Sequence, residues 1–188
     1  MDSTTGTIVA VVGPGADDVL ASADVLGGVS ALSLRGSEPA IASHRISASG
    51  TPWVVHDADP LEHVASAWIE FFQERATLGA LEAEIDDALG QFERGHALMP
   101  DYYLVLEPDD APEIWRHWWC GALGYRAPRR VLPIHASSGA DALRRMLRSL
   151  PTSRPWPDPA NWLPGLAMQI PDRVGLRDRV APPDSTAS

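Results

Sequence analysis

Short β-branched apolar runs alternate along this chain with segments whose apolar residues recur at helical spacing, and that alternation constrains the fold more than any other feature. Thr7-Ile8-Val9-Ala10-Val11-Val12 ends on Gly13-Pro14-Gly15 and reads as a buried strand entering a turn. Over residues 16–26, Val19, Leu20, Ala23 and Leu26 fall on one helix face, and Gly27-Gly28 stops it. Further strands are expected at 29–34, 53–56, 102–106 and 131–135, with helices over 111–123 and 139–150. The stretch between 34 and 53, with Arg45 to Ala48, carries no period that assigns it. Pro133 denies the last strand one ladder hydrogen bond and suits an edge position or a bulge.

Such β/α alternation predicts an α/β domain of the three-layer, doubly wound type: a mostly parallel sheet of about five strands with helices on both faces. Residues 1–170 read as this single domain. Between 61 and 94 two apolar stripes follow each other, Leu61, Val64, Trp68 and then Leu81, Ile85, Leu89. One straight helix there would be about 50 Å long, too long for a compact domain of this size. It either breaks near Thr77-Leu78-Gly79 into a hairpin or projects and packs against another copy. From Pro151 to Pro159 the prolines forbid regular structure, so this segment is expected to wrap the surface, anchored by Trp156 and Trp162. Residues 171–188 carry no apolar periodicity and read as a disordered tail.

Composition removes several chemistries. All 15 basic residues are arginine, so a lysine-dependent phosphate loop, a pyridoxal-phosphate Schiff base and a lysine nucleophile are excluded. The single cysteine, Cys120, forms no internal disulfide, which points to a reducing compartment. The first residues lack a basic start followed by a long apolar run, and no segment is apolar enough to span a membrane, so a cytoplasmic location is expected. Charge is lopsided: residues 1–114 sum to −16 and residues 115–188 to +6. The halves attract, and their charges are expected to be paired within the fold or solvated on its faces. Arg129, Arg130, Arg144, Arg145 and Arg148 are candidates for an anion-binding face. The bulk acidity argues against nucleic acid.

A strand followed by Gly13-Pro14-Gly15-Ala16-Asp17-Asp18 and a helix is similar in outline to the opening of a dinucleotide-binding or phosphate-loop protein. The detail differs. Asp18 stands where the first motif needs Gly or Ala, Asp18-Val19 where the second needs Gly-Lys, and two carboxylates repel phosphate. The segment reads as a structural turn, within a nucleotide-binding type of fold that lacks a phosphate loop.

In an open α/β sheet the loops after the strands' carboxyl ends converge on one crevice. Three such loops here are polar: His56 to Asp59, Glu107 to Asp110, and His135 to Ser138. Helix capping accounts for Asp59, Asp110 and Ser138. It leaves His56, Asp57, Glu107, Asp109 and His135 as candidate site residues, a composition that suits a divalent metal or a positioned water. No local spacing makes that set specific, and loop carboxylates are commonly just solvated. His44, His63, His96 and His117 read as structural or exposed. Trp115, Trp118, Trp119 and Ala122 make one helix face largely of indole, core for the most part but with a share available to an interface or a pocket.

Two functions follow. The first is a non-enzymatic module acting through self-association, a homodimer, or partner binding, for which the 61–94 region, the indole face and the charge asymmetry offer surfaces. The second is a metal- or acid/base-dependent hydrolase built on the five candidate residues. Neither its substrate nor its metal can be named from sequence.

Overall fold

The computed structural model describes residues 6–135, 140–151 and 156–168. Five strands form one sheet: β1 (Thr7–Val12), β2 (Val29–Leu32), β3 (Trp53–His56), β4 (Tyr102–Leu106) and β5 (Val131–Ile134). They are all parallel and lie in the order β2-β3-β1-β4-β5. The fold is thus the expected three-layer α/β architecture. β1 and β4 are buried along their whole length, which is why they read as continuous apolar runs without alternation. β5 is an edge strand, and its Pro133 is exposed.

One face of the sheet carries α1 (Ala16–Asp24) and α7 (Ala140–Ser149), packed on Val9, Val11, Val55, Leu104 and Leu106. α2 (Pro39–Ser47) covers the other face beside β2 and β3, against Ile8, Leu34 and Val54. Next to it pack α3 (Glu62–Phe72), α4 (Leu78–Glu93) and the helical segment after β4, against Ala10, Val12, Tyr103 and Val105. α2 fills the stretch that carried no sequence period. Its apolar contacts are few, Ala42 and Ile46, and tertiary packing makes the helix where pattern does not.

The 61–94 region is a hairpin and not a projecting helix. α3 ends in a Schellman turn: Glu74 N–H donates to Phe71 O at 3.1 Å and Arg75 N–H to Glu70 O at 2.8 Å. Glu74 occupies the left-handed position at φ 58°, where glycine is usual, so the stop carries no sequence signal. Thr77 then caps α4, its Oγ1 accepting from Ala80 N–H at 3.3 Å. Leu81 and Ile85 are buried in the apolar cluster where α4 packs against α3 and residues 163–168.

After β4, α5 (Glu113–Arg116) runs without interruption into a π-helix (His117–Leu123) and α6 (Gly124–Arg126). The wider turn departs from the regular helix expected over 111–123. Trp118 is fully buried and meets Trp68 at 5.6 Å between ring centroids, whereas Trp115 pairs with Trp119 at 5.2 Å.

Residues 156–168 are held by apolar anchors as expected. Trp156 stands edge-on to Tyr103, Trp162 and Leu166 are buried, and Trp68 Nε1 donates to Leu166 O at 3.2 Å. Among the described residues no helix is long and apolar enough to cross a membrane. The tail expected at 171–188, and Ser138 as a cap, lie outside the described residues.

Candidate ligand-binding crevice

From β1 the chain leaves toward β2 across one face of the sheet. From β3 and β4, the strands that flank β1, it leaves in the opposite direction across the other face. This reversal opens a crevice outside the carboxyl end of β1, where ligands of open α/β sheets bind. The crevice has a volume of about 340 Å³ and is lined by the end of β1, Arg35, Asp59, Glu62, Trp115 and Trp119. Gly13 closes its base. A β-carbon there would lie 2.5 Å from Leu106 O, so only glycine lets the turn pass the end of β4.

The group at its centre is Asp59. Oδ1 accepts from Leu61 N–H and from the Tyr103 hydroxyl, both at 2.9 Å. Burial pushes the carboxyl up to about 6, and the nearby Glu62 charge adds to the rise; the bonds from Leu61 and Tyr103 oppose it. In turn, burial and the Asp59 charge hold the Tyr103 phenol well above its ordinary value. Asp59 is not the cap residue expected: α3 begins at Glu62 with Leu61 as its cap, and Asp59, two residues before that cap, takes the Leu61 N–H instead. Capping and site chemistry fall on the same side chain, which is why subtracting caps removed it from the sequence candidates.

A second cavity, about 560 Å³, lies beneath α2 and shares Arg35, Asp59 and Glu62 with the first. His56 borders it. The ring is 1% exposed and neither nitrogen has a hydrogen-bond partner within the protein at good geometry. Burial lowers its pKa to about 4, against opposing contributions from the Asp57 charge and the Ala58 backbone, so the imidazole is neutral at physiological pH.

The five sequence candidates do not converge. Asp57 lines the crevice, but as a structural tie: its carboxylate takes Leu34 N–H at 2.5 Å, Arg35 N–H at 2.9 Å and the Ser33 hydroxyl at 3.2 Å, fixing the loop after β2. His56, next to it on β3, points to the α2 side, as strand alternation requires. Glu107 and His135 do meet, with Oε2 and Nδ1 3.0 Å apart, at the β4–β5 edge. Asp109 is exposed and pairs with Arg116 at 3.6 Å. Among the described residues no three His, Cys, Asp or Glu side chains form a metal-holding group. Asp110 makes no cap; Pro112 holds that position at α5.

Arg130 drops out of the anion-binding face. It is buried, donates to Asp101 O at 2.8 Å and lies over the Tyr102 ring at 5.4 Å. Cys120 is partly buried in the π-helix and its thiol is pushed up by burial, the reverse of an activated nucleophile. Comparison with known proteins found no matching family model, no similar curated protein and no matching solved structure.

Proposed function

We infer that this chain is a non-enzymatic α/β binding module whose partner is a small molecule held in the crevice beside Asp59. One observation carries the reading: the crevice at the reversal of chain direction is bounded by a partly buried carboxyl, Asp59, and by the paired indoles of Trp115 and Trp119. Concave apolar walls with a few convergent polar groups are the usual make-up of such sites. The surfaces first considered for self-association are largely spent inside the chain. α4 folds back on α3, Trp118 and Trp119 are buried, and Leu81 and Ile85 sit in the core.

The hydrolase reading keeps one specific support, the Glu107–His135 pair, with Glu107 held at the uncommon φ of 42°. Hydrolysis of nitrophenyl esters or phosphates that disappears in His135→Ala would favour it. The test of the binding reading is an NMR screen of the full chain against a chemically mixed fragment set, read at the indole N–H signals. Hits that shift Trp115 and Trp119 and are lost in Trp115→Ala support it. Hits that leave both indoles unmoved overturn it.

A further inference from the structure

We propose that the crevice and the cavity beneath α2 form one two-lobed site for a zwitterion of amino-acid size. Its ammonium lies at Asp59 and Glu62, its carboxylate at Arg35 and its side chain in the larger lobe. The assignment rests on the binding reading above and names the ligand class.

The geometry starts from the three residues that border both lobes, Arg35, Asp59 and Glu62. They carry both signs of charge. Among the described residues, none of the ion pairs joins Arg35 to either carboxylate within 4 Å. Asp57, the nearest alternative acceptor, has its carboxylate occupied by Leu34, Arg35 and Ser33, and what it holds of Arg35 is the backbone. Arg35 thus borders both lobes with its main chain fixed and its guanidinium outside every ion pair among the described residues. A guanidinium set apart from two carboxylates matches a ligand with a carboxylate and an ammonium a few atoms apart. A purely cationic ligand would meet Arg35 as a like charge, and a purely anionic one would meet Asp59 and Glu62.

The lobes differ in what they offer the rest of the molecule. The Trp115 and Trp119 lobe presents indole faces, suited to an ammonium or its attached carbon. The lobe beneath α2 is larger and is walled by Leu34, Ile46 and Leu98; of its buried polar residues, Ser43 donates to Gly95 O at 3.1 Å, whereas His56 is without a partner. The neutral imidazole has one donor and one acceptor unmet within the protein. A buried polar group without a partner is costly, and an occupant of this lobe is placed to relieve it.

Titration calorimetry on the full chain at neutral pH, with three probes sharing one phenyl body, tests the assignment: L-phenylalanine, phenethylamine and 3-phenylpropionate. L-phenylalanine is expected to bind at least about tenfold more tightly than either singly charged analogue, the weight of one charge-assisted contact. Arg35→Gln should bring its affinity down to that of phenethylamine, and Asp59→Asn down to that of 3-phenylpropionate. Asn retains the Oδ1 acceptor that Leu61 and Tyr103 use, and Arg35 is exposed with no ion pair among the described residues, so both variants are expected to keep the fold. Equal binding of phenethylamine, equal binding of 3-phenylpropionate, or no binding of any probe overturns the zwitterion assignment. The two readings fail separately: if mixed fragments shift the Trp115 and Trp119 indoles while all three probes are inert, only the ligand class falls. If fragments avoid both indoles, the crevice itself is not the site.

Discussion

The Tyr103 hydroxyl, on β4, donates to Oδ1 of Asp59, in the loop after β3, at 2.9 Å, reaching the crevice-lining carboxyl from the buried core. The bond holds the more buried of the two carboxyls that border both cavities and favours its ionised form. Tyr103→Phe should therefore raise the Asp59 pKa further above about 6. It should also cost about 1.5–3 kcal/mol of stability at alkaline pH, where the acceptor is charged, and less in acid. Denaturant unfolding at the two pH values measures both effects; an equal loss at both would mean the bond does not depend on the Asp59 charge.

His56 and Asp59 drive stability in opposite directions with pH. The His56 imidazole titrates near 6.5 when unfolded and at about 4 when folded, so its contribution is complete above 6.5 and is lost as pH falls through 4. The loss amounts to roughly 3 kcal/mol at ~1.4 kcal/mol per pKa unit. Asp59 titrates at 3.8 unfolded and about 6 folded, so its contribution is complete below 3.8 and is lost as pH rises through 6. The wild type should show a shallow profile between pH 4 and 6.5 because the two offset. His56→Leu should become more stable on acidification across that window, and Asp59→Asn less stable. Parallel curves for the three proteins would refute the opposition.

Gly13 and Gly15 both have positive φ, at 95° and 84°, but only Gly13 lacks space. Gly15→Ala should cost about 1–2 kcal/mol, the penalty of the left-handed conformation alone. Gly13→Ala adds a clash with the Leu106 carbonyl and should be clearly worse in thermal unfolding. The reverse order would place the tight approach elsewhere.

Glu74→Gly should stabilise the chain by about 1 kcal/mol, since glycine fits the left-handed position that ends α3 without a Cβ penalty. A shift of the denaturation midpoint to higher denaturant checks it, and no gain would mean that the Glu74 side chain offsets the strain.

The sheet was legible because each strand announced itself. β1 and β4 are continuous apolar runs bounded by turn residues, and Pro133 marked β5 as an edge. α2 was not legible: its apolar Ile41 is exposed while only Ala42 and Ile46 are buried apolar residues, so no apolar stripe marks the inner face and packing decides it. The hairpin break was legible near Thr77, which caps α4, but the end of α3 hid behind Glu74 in a glycine position. The site was legible in place but not in membership. The loops after β3 and β4 do frame the crevice, yet Asp57 turned to backbone amides of the loop after β2, and Asp59 was set aside as a cap. Sequence shows that a carboxylate can cap a helix; it does not show that the same oxygen also meets a tyrosine from another strand. Arg35 and Glu62 gave no signal, since each becomes a site residue only through the order of the strands.

Whether Asp59 faces a ligand is read most directly from its carboxyl pKa by carbon-13 NMR, without ligand and with saturating L-phenylalanine. A value near 6 in the free protein and a clear fall on binding are expected, as an ammonium replaces the desolvated surroundings that now raise it. A value that L-phenylalanine binding leaves unchanged would mean that Asp59 does not face the ligand.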